Sequence, residues 1–471
     1  MAYIHDSFLL QSDTARLLYE MHAKNAPIFD YHCHLSAQEI LENKQFSTIT
    51  ELWLSDDHYK WRLMRANGVD EYYITGSAPD FEKFEKWAET VSRCYGNPLY
   101  QWTQLELKRY FDIDELLCKK NAKEIYEKCN ALLGRDDFRA QALIMRSNVV
   151  ALCTTDDPAD PLDAHRALAD DPYFFPQVLP AFRPDKALAI TAPGFCDYLK
   201  KLGKAAGMEI GSLDALKIAL RDRAVFFKNN GCLLSDHGFG APVFRPCTKA
   251  EADAAFAKAL RGEPLTPDDV SAFQTNLMVF LGAMYDELDF AMQLHLGAAR
   301  NVNTTVYRLF GPVGGYDAIG DSLSVESILC LLDLLEQVNC LPRTVLYSLN
   351  PNDHERLSVA AGCFQKAPVA GKLQLGAAWW FNDHRDGMER QMKALANTGI
   401  LANFIGMLTD SRSFVSYSRH EYFRRLLCNL FAGWIDAGEL PTDFEQIGRV
   451  IEDICFNNAA AYFHLPERRD Y

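Results

Sequence analysis

The sequence predicts an α/β chain: a (β/α)8 TIM-type barrel with a helical insertion after the first strand. Two observations carry this. Eight short apolar runs end in polar, chemically capable residues, and amphipathic helical patterns lie between most of them. Continuous apolar runs mark strands buried on both faces, as in a parallel sheet. Repeated alternation of such strands with helices points to a closed α/β barrel, which can run far beyond the usual domain length as one unit.

The runs, in order, are Ile28 to His34, Asn148 to Asp156, Val178 to Arg183, Cys232 to His237, Ala291 to His295, Thr344 to Asn350, Leu373 to Trp380 and Phe404 to Asp410. Helices are predicted over Phe195 to Ala206, Leu213 to Asn229, Ser324 to Glu336 and Asp386 to Asn397. About 110 residues separate the first two runs, too many for one helix and its loops. That gap carries helical stretches at Asp80 to Thr90, Gln101 to Tyr110 and Asn121 to Leu133. It is expected to be an insertion, 36–145, folded over the mouth of a barrel built from 1–35 and 146–471. A smaller excursion, 239–290, holds helices at Thr248 to Arg261 and Thr266 to Glu287. Beyond Asp410 the chain reads as helical to about Phe463, most clearly at His420 to Ala437.

Composition excludes several classes. The 471 residues carry 48 Lys+Arg against 63 Asp+Glu, a net charge of −15. Nucleic-acid binding needs a basic footprint and is not expected. A small anion held by a few arginines is compatible with this charge. The 13 cysteines form no CxxC pair and read as free thiols of a reducing compartment. No signal peptide and no apolar run of ~20 residues is seen, so a cytoplasmic protein with no membrane partner is expected.

Reacting groups in such a barrel sit at the C-terminal strand ends. His32 and His34 end the first run, and alternate strand residues share a face, so both imidazoles can chelate one metal. The bland alternative is a pair of hydrogen-bonded buried histidines. Asp410 ends the last run, next to the first strand if the barrel closes. It can complete a His-His-Asp site for one divalent metal ion, zinc by ligand type, or act as proton acceptor, or merely cap a helix. His237 and His295 end middle runs and can be ligands, substrate contacts or structural residues. Asp57 to Arg62 packs His58, Tyr59 and Arg62 into one segment, either a lid over a polar ligand or a surface turn with Trp61 inward. Arg183 and Arg412 can bind an anionic group or an oxyanion, or pair with Asp185 and Asp410. Trp380 can stack on a sugar face or be core. The segment His420 to Arg425 reads mostly as a solvated helix face with buried aromatics.

The motifs FDYHCHL (29–35), DHYKWR (57–62), GNPLYQWTQLEL (96–107), TTDDP (154–158), FRPD (182–185), WWFND (379–383), GMLTDSRSF (406–414) and FNNA (456–459) together resemble the uronate (glucuronate) isomerase family, a divergent branch of the amidohydrolase superfamily. The likeness runs from about Phe8 to Phe463. No Lys ends the fourth-strand region, so the resemblance implies one metal rather than a lysine-bridged pair. It also implies isomerisation of D-glucuronate to D-fructuronate and of D-galacturonate to D-tagaturonate through a cis-enediol. His32, His34 and Asp410 are the implied metal ligands; His58, Tyr59, Arg183 and Arg412 are implied in substrate binding or proton transfer. Tyr59 and Asp410 compete for the role of proton carrier, and Tyr59 would need a cation such as Arg62 or Arg412 beside it. Substrate contacts are expected from Arg183, Arg62, His295 and Trp380, and a homo-oligomer is expected. The competing functions are a metal-dependent hydrolase (a lactonase or deaminase) on the same barrel and a non-catalytic sugar-acid binding protein.

Overall fold

The computed structural model describes residues 2–311 and 314–467, so the outer limits of the expected 1–35 and 146–471 units run into residues outside that range. Seven of the eight apolar runs contain strands. They are β1 (Ile28–Asp30), β2 (Val149–Cys153), β3 (Gln177–Leu179), β4 (Leu234–Gly238), β5 (Ala291–Leu296), β8 (Thr344–Ser348) and β9 (Leu373–Leu375). A short antiparallel pair not expected from the sequence, β6 (Ala298–Ala299) and β7 (Ala318–Ile319), brackets the segment after β5.

All other pairings are parallel. One sheet has the order β1-β2-β3 and a second β4-β5-β8-β9. Isolated parallel bridges Asp156↔Phe182 and Phe182↔Ser235 join them. Every residue of β5 and of β8 is buried, as a strand covered on both faces requires.

The eighth run, Phe404 to Asp410, is not a strand, and the reason is local. Gly406 (φ 75°) and Asp410 (φ 47°) both take left-handed backbone conformations that break an extended ladder. Side chains stand in for main-chain partners: Thr409 N–H donates to Asp30 Oδ1 at 2.8 Å, and Ile405 N–H donates to Gln374 Oε1 at 3.2 Å. Yet the run lies beside β1, since Asp410 N–H donates to the His32 carbonyl at 3.1 Å and His34 N–H to that of Ser411 at 2.9 Å.

Residues 36–145 contain helices and turns with no strand. Sequence dictates their starts. Thr48 caps Ile49–Leu54, Asp57 caps His58–Ala66 by accepting from Tyr59 N and Lys60 N, and Asn97 with Pro98 opens Pro98–Phe111. Trp53, Trp87 and Trp102 are almost fully buried and form the core beneath these helices. The helices predicted outside the insertion are found within two residues of their expected ends, among them Phe195–Ala206, Leu213–Asn229 and Pro267–Glu287. No helix of the described residues is long and apolar enough to cross a membrane.

One packing constraint bears on the site. Gly376, just past β9, faces the ring of Tyr347, and a Cβ there would collide with it. Tyr347 in turn stacks flat on His295, with centroids 4.3 Å apart. Gly376→Ala is expected to displace that stack and to cost about 1–3 kcal/mol, as overpacking does, which thermal or denaturant unfolding would measure.

Candidate active site

Strand ends supply the site. His32 and His34 follow β1, Arg183 follows β3, Asp236 lies in β4, His295 in β5, Trp379 and Trp380 follow β9, and Asp410 with Arg412 follows the irregular eighth run. One cavity of about 240 Å³ is lined by His32, His34, His58, Arg183, His295, Trp380, Asp410 and Arg412, together with Thr155, Arg300, Gly315, Asp317 and Trp379.

At its floor, Asp410 Oδ1 lies 3.2 Å from His32 Nε2 and 3.0 Å from His34 Nε2. The Trp379 indole N–H donates to Asp410 Oδ2 at 2.8 Å and aims the carboxylate. Burial would push Asp410 up, but hydrogen bonds and charge from His32 and His34 outweigh it and hold the group well below the usual carboxylate range. Burial brings His34 down to about 4, so its imidazole is neutral and carries a lone pair. The ligand atoms of these three residues lie within 4.8 Å of one another. Against burial, the charges of Asp236 and Asp410 push His32 up, and a bound cation would displace its proton. Two imidazole nitrogens and one carboxylate oxygen fit a divalent cation with a position left open for substrate.

A second group among the described residues, His32, Asp236 and His295, meets the same spacing. Its charge is already compensated. Arg183 Nη1 is 2.8 Å from Asp236 Oδ2, and His295 Nδ1 is 2.7 Å from Asp236 Oδ1. A guanidinium therefore stands against the carboxylate that a second cation would need. The first group is the one that fits a metal.

The arginines divide accordingly. Arg183 is held by Asp236 and, through Nε at 2.8 Å, by Asp185. Arg300 pairs with Asp317 at 2.9 Å and lies over the Trp380 ring at 4.9 Å. Arg412 has no ion pair or hydrogen bond through its guanidinium among the described residues, so it is the cavity's uncommitted cation.

Other expected residues fall elsewhere. Tyr59 and Arg62 do not line this cavity. They line an adjoining pocket of about 120 Å³ with His58, Trp380 and Asp383. The His58 and Tyr59 rings stack at 5.0 Å, so His58 separates Tyr59 from the main cavity. Arg62 is exposed, donates to the Asp317 carbonyl at 2.8 Å and covers Phe381. It is not the cation beside Tyr59; Arg419 is, 5.5 Å from the ring centroid. His237 is fully buried, bonded to Tyr285 Oη at 3.1 Å, and lies outside the cavity.

Asp236 was missed in favour of its neighbour His237. Strand parity held the signal: residues one apart face opposite ways, and Asp236 is the inward one. Arg300 and Asp317 lie in the loop after β5, where no periodic pattern points to them. The segment His420 to Arg425 corrects a further expectation. It belongs to helix Ser418–Asp436, in which Arg419, His420, Arg424 and Arg425 are all buried.

Behind the site, Glu106 is buried with Asp57, Lys60 and Arg419. Burial pushes its carboxyl up to about 7 against the pull of both cations. The folded protein then holds a proton there that the unfolded chain has released above about 4.5. Stability should fall as pH rises from about 4.5 to about 7, by about 3 kcal/mol from this group, and level off above. Glu106→Gln should flatten that part of the profile relative to wild type, which urea unfolding at stepped pH would show.

A parallel-stranded α/β chain that converges on a His-His-Asp cluster able to hold a metal, with an arginine beside it, defines an enzyme suited to a small anionic substrate. Its family follows from comparison. The family model described as glucuronate isomerase matches residues 1–463. The uronate isomerase of Shouchella clausii is 51% identical over 466 residues, covering 99% of each chain. That of Bacillus subtilis is 49% identical over 467 residues, again 99% of each. The uronate isomerase structure from Thermotoga maritima superposes with a TM-score of 0.93 at 34% identity, covering 98% of this chain and 100% of that one. The glucuronate isomerase structure from Caulobacter crescentus gives 0.92 at 26%, covering 99% and 98%. The chain belongs to the uronate isomerase family.

Proposed function

We propose that this enzyme interconverts aldo- and keto-hexuronates, D-glucuronate with D-fructuronate and D-galacturonate with D-tagaturonate, by proton transfer through a cis-enediol. The observation that carries the proposal is a single cavity holding both a His32-His34-Asp410 ligand set and the uncommitted guanidinium of Arg412. Its volume, about 240 Å³, suits a small ligand, since pockets of ~300–1,000 Å³ hold drug-sized ones.

A divalent metal, zinc on this donor set, would serve as a template for the substrate's C6 carboxylate and neighbouring hydroxyl. His32, His34 and Asp410 would hold it. Arg412 binds the oxygens of the enediolate as charge develops, with His58 as its neighbour. Burial and the adjacent Arg412 lower His58, so its imidazole is neutral and can exchange a proton with those oxygens. Asp410, ionised and lining the cavity, is the group that can accept the C2 proton, though a carboxylate held so far below its usual range is a poor base. Tyr59, kept protonated by burial and sharing a narrow pocket with Asp410 and Arg412, is the proposed shuttle, passing its own proton on as it receives one. Arg183 and Asp236 form the fixed wall that orients His295, and Trp380 supplies an aromatic face. Arg62 acts on the substrate only through the Asp317 loop.

Within the same proposal the two sheets close into an eight-stranded barrel, with 404–410 as the eighth stave and 36–145 as a cap. The hydrogen bonds from Asp410 N to His32 O and from His34 N to Ser411 O support the closure. Thirteen free cysteines support a reducing, cytoplasmic setting. Assembly into a homo-oligomer stays part of the proposal, with chain mass in solution as its test.

Every relative reported above is named an isomerase, and nothing favours the hydrolase. Incubation with D-glucuronate and with D-galacturonate tests the proposal: the product keeps the substrate's mass under isomerisation and gains a water under hydrolysis.

A further inference from the structure

Arg419 is 1% exposed and lies outside the substrate cavity, yet it reaches every segment that builds the proton-transfer side of the site. Its guanidinium covers the Trp102 ring at 4.2 Å and the Tyr59 ring at 5.5 Å. Nη1 donates to the Thr409 carbonyl at 3.3 Å and lies 3.8 Å from Asp383 Oδ2. Trp102 and Tyr59 belong to the insertion, Asp383 to the segment after β9, and Thr409 is the residue before Asp410.

The charges around it explain why a buried cation is tolerated. Asp57 caps the helix that starts at His58, takes the Lys60 ammonium and, against burial, is held below the usual carboxylate range by the charges of Lys60 and Arg419. Asp383 and Glu106 are buried beside them, and burial pushes both carboxyls up. Asp57 is therefore the anion that balances the two buried cations, and losing Arg419 would unbalance the cluster. A planar guanidinium can stack on rings and donate in its plane at once, which an ammonium cannot.

We propose that Arg419 is a positioning residue: it fixes the Tyr59 ring against the Thr409–Asp410 backbone, and so sets the distance between the proton carrier and the metal-ligand segment without touching substrate. The inference rests on the isomerase function with Tyr59 as carrier. A misplacement near 1 Å costs about 100-fold in rate.

The test is steady-state kinetics on Arg419→Ala and Arg419→Lys, with metal content measured on each. Arg419→Ala is expected to lose about 100-fold in kcat, with KM and one metal per chain unchanged. Added guanidinium ion is expected to restore about tenfold, through the narrow pocket that Arg419 lines with Tyr59 and Arg412. Arg419→Lys keeps the charge but not the fork; it should fall between the two and carries the test if the Ala variant does not fold. A kcat within twofold of wild type in both variants, or a loss confined to KM or metal content, overturns the proposal. Tyr59→Phe and the Arg419→Lys/Tyr59→Phe double variant separate this failure from that of the underlying mechanism. If Arg419 acts through Tyr59, the double variant is no slower than Tyr59→Phe alone; multiplied losses overturn that route. Full turnover in Tyr59→Phe itself would instead overturn the carrier assignment.

Discussion

Asp410→Asn should lose bound metal and turnover together. Asp410 Oδ1 meets both histidine Nε2 atoms, and its other oxygen is fixed by the Trp379 indole. The amide supplies a neutral oxygen in place of the one anion that, among the described residues, His32 and His34 share. Residues outside a ligand set are themselves worth 10–100-fold in metal affinity, so loss of the anionic ligand should cost at least about 100-fold. The backbone at this position is left-handed, φ 47°, and Asn adopts that conformation more readily than most residues. The fold should therefore survive, and the loss should report on the site. Metal per chain after dialysis, with kcat on D-glucuronate, measures both. A variant that retains its metal and wild-type turnover would remove Asp410 from the ligand set.

Tyr59→Phe should lower kcat by about 10²–10⁴-fold, the range supported by one proton-transfer group, with KM nearly unchanged. Tyr59 is screened from the main cavity by the His58 ring, so its hydroxyl contributes little to ground-state binding. Phe keeps the stack on His58 and the contact with Arg419, so only the hydroxyl is lost. Burial, reinforced by Asp383 and Asp410, pushes the phenol well above its ordinary value, and Arg419 opposes this. That balance is why the hydroxyl needs a cation fixed beside it. Wild-type turnover in Tyr59→Phe would pass the role to Asp410.

The pattern of apolar runs was enough to locate seven strands, because buried parallel strands must be continuously apolar. It failed at 404–410, where the run is apolar but Gly406 and Asp410 turn left-handed and Asp30 and Gln374 side chains replace ladder partners. Composition alone cannot distinguish those two cases. His32, His34, Arg183, His295, Trp380, Asp410 and Arg412 line one cavity because each lies at or just past the end of an apolar run, strand or not, which the sequence does mark. Asp236 escaped because parity within β4 is invisible without the partner register, in which His295 pairs with Gly238 and not with His237. Arg419 escaped for a different reason. Charged residues in an amphipathic helix normally face water, and only tertiary packing against Trp102 and Tyr59 reveals a buried guanidinium.

Proton exchange tests the central claim most directly. D-Glucuronate incubated with the metal-loaded enzyme in heavy water should be followed by proton NMR. Isomerisation through an enediol predicts the ketose product at unchanged heavy-atom composition, with deuterium from solvent entering at the carbon that receives the migrating proton whenever the carrier exchanges before transfer. Chelation of the metal should stop both signals. A product that has gained the elements of water, or an unchanged substrate with no ketose formed by the metal-loaded enzyme, would contradict the assignment.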